Sequence, residues 1–212
     1  MLEWHRTLST LRASSNEMSI DDIRAQLNHV ISLLWVGIFV LWAITGLTSK
    51  QTVQARSEGP SRIAVWIVWL AWWLLLTHGF GIEMLSVRFA PKTTTAAYAG
   101  LTITIVGLAL SVWARIQIGT NWSGLIHVKE GHQLMHTGSY AIVRHPIYSG
   151  FMLATLGTAI AFGEISGLIA FVMILGAWGY KSRLEETAMI EHFGEEYETY
   201  RRKVKGLIPF VW

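Results

Sequence analysis

Five apolar runs, free of Lys, Arg, Asp and Glu, divide the chain: residues 30–48, 63–82, 96–114, 146–163 and 165–180. The first is 19 residues long, enough for a helix to cross a hydrocarbon core of about 30 Å. Between the fourth and fifth, Gly163, Glu164 and Gly167 interrupt the pattern and predict a tight helical hairpin. The fifth run is the shortest, at 16 residues, and predicts a helix that is tilted or spans incompletely. The polar remainder falls into a tail (1–28), a long loop (115–145) and a C-terminal segment (181–212) whose periodicity is largely helical. Within the tail, "SIDDIRAQLNHV" predicts a short interfacial helix, with Ser19 as its cap and Asp22 closing an acidic variant of the capping box. The pattern predicts an all-α integral membrane bundle of about five transmembrane helices. The last two form a hairpin, and a further C-terminal helix lies outside the bilayer on the cytosolic side.

Composition strengthens this picture. Hydrophobic residues make up 52% of the 212 positions and charged ones only 15%, against about 25% charged in a typical soluble domain. Eleven tryptophans suit a chain that meets two membrane interfaces. With five spans, the 49–62 loop, the 115–145 loop and the C-terminal segment share one side and hold twelve of the 17 Lys and Arg. That bias predicts the C-terminal segment in the cytoplasm and the N-terminus outside; a location in the cell (inner) membrane is expected. The first 28 residues carry charges of both signs and do not read as a cleavable signal peptide. There is no cysteine, which excludes disulfides, thiolate metal sites and cysteine nucleophiles. The net charge of +3 is small, and no basic-aromatic stretch reads as a nucleic-acid groove.

Two stretches concentrate polar chemistry beside apolar runs. In "SYAIVRHPIYSG", Pro146 suits the first turn of the fourth span, because its missing N–H would be unsatisfied there anyway. Arg144 and His145 then lie at the interface beside the positive end of a helix. Snorkelling to lipid phosphates would explain Arg144, and simple capping His145. In "EETAMIEHFGEEYETYRRKV", Glu186, Ile190, Phe193, Tyr197 and Tyr200 recur at helical spacing, with Glu185 beside the start of the stripe. An amphipathic helix on the membrane surface, its Arg201, Arg202, Lys203 and Lys205 meeting anionic headgroups, is the simple alternative. His78 reads as an interhelical histidine. His132 and His136 are four apart but lack HExxH and a carboxylate pair, so no metal site is expected.

Taken together, "GHQLMHTGSYAIVRHPIYSG" and "EETAMIEHFGEEYETYRRKVKGLIPF" resemble the isoprenylcysteine carboxyl methyltransferase family, in the manner of a prokaryotic integral membrane member. The resemblance covers about residues 119–210, and the first three spans share only their apolar character. It implies S-adenosylmethionine as cofactor and divides the chain into a polar tail (1–28), three transmembrane helices (29–114) and a cofactor-binding methyltransferase region (115–212). Carried over residue by residue, it implies a cofactor pocket of His132, Leu134, Gly138, Tyr140, Arg144, His145, Tyr148, Glu185, Glu186 and Tyr197. Arg144, Glu186 and Arg201 are the expected catalytic residues. The ending "YRRKVKGLIP" departs from the eukaryotic "YKKRVPTGLP" type, placing Lys203 where those relatives have arginine. Lysine is a point charge and arginine a planar fork.

The expected activity is methyl transfer from S-adenosylmethionine to a lipophilic acceptor, with a prenylcysteine-type carboxylate among the candidates. The expected partners are that acceptor and membrane lipids, without nucleic acid or metal. Two other readings use the same pocket: a membrane sterol-type NADPH reductase, and a non-catalytic membrane binding protein. The 115–145 loop holds only Arg115, Lys129 and Arg144 as basic residues, few for a 2′-phosphate.

Overall fold

The computed structural model describes residues 18–47, 52–55, 58–122, 127–129, 134–209 and 211. Five long helices form a bundle: α1 (Ile20–Gly46), α2 (Glu58–Leu76), α3 (Thr94–Ile118), α4 (Pro146–Phe162) and α5 (Ile165–Phe193), followed by the short α6 (Glu195–Lys203). Among the described residues, four are long and apolar enough to cross a membrane, and α4, with 17 residues, is the shorter fifth. The chain is an integral membrane protein by this architecture.

Helix bounds differ from the apolar runs in three instructive places. The interfacial helix expected near Ser19 is continuous with the first span. Ser19 Oγ accepts from Asp22 N at 3.1 Å, and Ser19 N donates to Asp22 Oδ2 at 3.2 Å, completing the box. The second helix stops at Leu76, because His78, Gly79, Phe80 and Gly81 all take positive φ. His78 therefore sits in a turn rather than within a span, with Nδ1 2.9 Å from Glu164 Oε2. The fifth run is not a short span. Its helix continues for 29 residues until Gly194, at φ 54°, ends it, since residues 181–193 contain no breaker. The stripe from Glu186 to Tyr200 is thereby split between α5 and α6.

The α4–α5 hairpin turns on Gly163 (φ 70°, ψ 24°), a left-handed conformation that favours glycine. Close packing of α3 on α4 relies on small residues at a seven-residue interval on both helices: Gly100 and Gly107 on α3, Gly150 and Gly157 on α4. A Cβ at Gly100 would sit 2.5 Å from the Gly157 carbonyl oxygen, and one at Gly150 2.5 Å from that of Gly107. Backbones this close leave no room for larger side chains.

The core is aromatic. Trp35 (α1) lies 5.4 Å from Trp72 (α2), Trp72 5.3 Å from Phe151 (α4), and Phe151 5.5 Å from Trp178 (α5), ring centroid to centroid. Each buried indole N–H needs a partner. Trp35 Nε1 donates to Thr158 Oγ1 at 3.0 Å, and Trp72 Nε1 to Thr155 Oγ1 at 3.4 Å.

Contacts between loops order the two ends of the bundle. At one end Arg24 Nη1 donates to the Thr93 carbonyl at 2.8 Å, and Arg24 Nη2 to that of Ala161 at 2.8 Å. This joins the start of α1, the loop before α3 and the hairpin turn. At the other end Thr52–Ala55 pairs antiparallel with His127–Lys129, and Arg115 Nη2 donates to the Thr45 carbonyl at 2.7 Å. The C-terminal segment also lies at this second end.

Candidate active site

The candidate cluster forms where α4 begins. Proline at the first helical position directs the preceding Arg144 and His145 to the helix mouth. Their backbone is fixed by the C-terminal segment: Arg144 N donates to the Lys205 carbonyl at 2.8 Å and His145 N to that of Gly206 at 3.0 Å. Ser149 Oγ adds a bond to the Leu207 carbonyl at 2.5 Å. The C-terminal segment is thus laced to the loop before its side chains are considered.

Arg144 reaches from this loop to α5. Its Nε and Nη2 donate to Glu186 Oε1 at 3.0 and 2.6 Å, while Nη1 donates to the carbonyls of Val204 and Arg201. His145 lies between the two acidic residues, with Nε2 3.2 Å from Glu186 Oε1 and Nδ1 3.4 Å from Glu185 Oε2. Burial alone would lower the His145 pKa. The hydrogen bonds to Glu185 and Glu186, and their charges, outweigh burial and hold it above the ordinary value. The imidazole is therefore poised to carry a positive charge between two carboxylates.

Tyr148, one turn into α4, donates to Glu185 Oε1 at 2.6 Å. Its ring lies between His145 (5.6 Å, interplanar angle 4°) and Trp178 (5.3 Å, 10°). Trp178 continues into the aromatic core, so the polar cluster caps a column of rings running into the bilayer.

The remaining expected residues divide into three groups. Tyr140, Tyr197 and Tyr200 are buried beside the cluster; Tyr200 O–H donates to the Tyr140 carbonyl at 2.5 Å, and Tyr197 meets Tyr200 edge-on at 5.9 Å. Burial pushes all three phenols above their ordinary pKa. Gly138 (φ +60°) packs so tightly on the Gln117 amide that a Cβ would overlap it. Gln117 Oε1 also accepts from Ser139 N at 2.9 Å, pinning the loop to α3. Leu134 is partly buried within the loop, and His132 lies outside the described residues. Arg201 differs: its carbonyl meets Arg144, while its exposed guanidinium lies 3.6 Å from Glu198.

One residue of the cluster escaped the sequence reading. Lys181 is 3% exposed, and its Nζ lies 3.0 Å from Glu185 Oε1 and donates to Tyr148 Oη at 2.7 Å. The available signal was its position four residues before Glu185, a spacing that pairs charges on one helix face.

Fold and cluster together define an integral membrane helical protein with a buried, charge-paired polar site at one end of an aromatic core. Residues 100–191 match the isoprenylcysteine carboxyl methyltransferase (ICMT) family. The matched region contains Arg144, His145, Tyr148, Glu185 and Glu186.

A probable protein-S-isoprenylcysteine O-methyltransferase of Oryza sativa subsp. indica is 32% identical over 120 residues, covering 54% of this chain and 62% of the rice protein. The protein-S-isoprenylcysteine O-methyltransferase of Schizosaccharomyces pombe is 35% identical over 111 residues, covering 50% and 46%. The chain thus spans about half the length of the curated relatives it matches. A solved structure of the eukaryotic intramembrane Ras methyltransferase ICMT superposes with a TM-score of 0.57, covering 93% of this chain and 70% of that one. At 24% identity, that likeness speaks for the fold.

Proposed function

We propose that this chain is an integral membrane methyltransferase. It moves a methyl group from S-adenosylmethionine to a lipophilic acceptor, at a site facing the cytoplasm of the inner membrane. The observation that carries this reading is the junction of the 138–148 segment with α5, through Arg144–Glu186 and Tyr148–Glu185, and with the C-terminal segment, through the Lys205 and Gly206 carbonyls. Two stretches remote in sequence contribute opposite charges to one small volume. The match to methyltransferase relatives favours this activity over nicotinamide-dependent reduction.

The donor set suits a zwitterionic sulfonium nucleoside. Adjacent carboxylates on α5 suit an ammonium or a ribose diol, and Arg144 with a protonated His145 suits a carboxylate. The contacts to Glu186 among the described residues fall on Oε1, so Oε2 keeps acceptor capacity for a ligand. Bound S-adenosylmethionine supplies an already activated methyl group, for which displacement needs neither metal nor covalent intermediate. The protein's part is to hold two reactants in line and exclude water. The loop, α5 and the C-terminal segment grip the polar donor. The rings of Tyr148, Trp178 and Phe151 form the apolar floor beneath the donor, on the side toward the bilayer. The relatives' names point to a prenylated cysteine carboxylate as that acceptor. A carboxylate attacks without losing a proton, so no general base is required of the cluster.

Calorimetric titration of S-adenosylmethionine into detergent-purified protein tests donor binding. Transfer of a labelled methyl to a farnesylated cysteine tests the acceptor. Saturable binding without transfer to that probe would retain the donor and overturn the acceptor.

A further inference from the structure

Lys181 has no part in the proposed chemistry, yet it is the most deeply buried charge of the cluster. Its ammonium, the Tyr148 hydroxyl and Glu185 Oε1 form a closed triangle with sides of 2.7, 2.6 and 3.0 Å. An ammonium can only donate. The Tyr148 oxygen must accept from Lys181, so its own proton must point at Glu185. Oε1 of Glu185 then receives two donors, which leaves Oε2 facing His145 at 3.4 Å. The ammonium also lies 5.1 Å from the Tyr148 ring centroid, whose other neighbours are His145 and Trp178. A single buried cation therefore settles a proton direction, a carboxylate orientation and a ring position.

We propose that Lys181 is a positioning residue: it locks Tyr148 and turns Glu185 so that Oε2 is presented to the cationic group of a bound ligand. This rests on the donor-binding reading above. Lys181 itself touches neither donor nor acceptor and acts through Glu185.

The test is a cycle of Lys181→Met, Glu185→Gln and the double variant, titrated with S-adenosylmethionine at pH 8 and pH 6. Thermal unfolding of each variant in detergent is recorded alongside. Lys181→Met is expected to weaken binding by about 10- to 100-fold, the scale of loss when an outer partner that orients a ligating group is removed. The loss should deepen at pH 6. Glu185 faces Tyr148, His145 and the neighbouring Tyr140 and Tyr197 as well as Lys181, and without the ammonium it takes up a proton more readily. In the double variant binding should be no weaker than in Glu185→Gln alone, because Lys181 works through that carboxylate. The neutral double variant also avoids an uncompensated buried carboxylate, so it reports binding even if Lys181→Met folds poorly. Additive losses, or a loss equal at both pH values, would make Lys181 a structural strut and overturn the proposal. Failure of the donor-binding reading looks different: the wild-type protein itself would not bind, and this assignment would fall with it.

Discussion

The two ends of α4 handle charge in opposite ways. At its C-terminus, two arginines meet backbone: Arg24 Nη2 donates to the Ala161 carbonyl at 2.8 Å, and Arg88 Nη1 to that of Phe162 at 2.8 Å. At its N-terminus, side chains meet each other, and the two carboxylates of α5 face the start of the helix through His145 and Tyr148. Both arrangements obey the helix dipole, which favours cations at the C-terminal carbonyls and anions at the N-terminal amides. The difference lies in what the charges can still do. A guanidinium on a last-turn carbonyl satisfies an otherwise orphaned acceptor and is structural. A carboxylate held by side chains keeps lone pairs for a ligand. A buried arginine is thus no functional signal by itself; what it pairs with decides.

Removing an arginine from each end breaks the comparison most sharply. Arg144→Ala should abolish methyl transfer and, by leaving Glu186 half-buried without its main partner, destabilise the fold by about 3 kcal/mol. Arg24→Ala should cost about 2 kcal/mol through lost charge-assisted bonds while transfer and donor affinity stay near wild type. Activity assays and thermal unfolding in detergent on both variants check the pair. Full activity in Arg144→Ala, or loss of activity in a folded Arg24→Ala, would erase the distinction.

The packing of α3 against that helix can be tested next. Gly107→Ala places a methyl against the Gly150 carbonyl oxygen at 2.5 Å and should lower stability by about 1–3 kcal/mol through overpacking. Ala at Gly37 or Gly176, where a Cβ meets nothing within 4 Å, should have no comparable effect.

A pH effect should follow at the N-terminal end. The folded pKa of His145 lies above its ordinary 6.5 because of the two glutamates. Its contribution to stability is therefore fully present below about pH 6.5 and is lost as pH rises through the raised folded value. Unfolding temperatures of wild type should fall over that window, and those of His145→Gln should be flatter. The smallest effect is expected at the C-terminal end. His78→Gln removes a pair whose histidine is 41% exposed and should change stability by less than about 1 kcal/mol.

Much of this architecture could be read from the chain. Five apolar runs became five helices, Ser19 and Asp22 formed their box, and Gly163 made the hairpin turn. What escaped has a common cause: hydropathy marks where lipid begins, not where a helix begins or ends. So α1 started ten residues before its apolar run, α5 continued thirteen beyond its own, and α2 stopped early at a turn whose sequence is still apolar. In the site, Arg144, His145, Glu185 and Glu186 stood out because they bracket apolar runs. Lys181 did not, because its importance arises only when Tyr148 of α4 packs against α5. Arg201 carried the right charge on the right segment, but its position on α6 turns it outward.

The central claim is that the Arg144–Tyr148 stretch and the α5 glutamates enclose one methyl donor. Calorimetry with S-adenosylmethionine and its demethylated product, on wild type and on Glu186→Gln, tests it most directly. Saturable binding of both ligands by wild type, markedly weakened in a folded Glu186→Gln, is the expected result. No binding by wild type, or equal affinity in the two proteins, would contradict it.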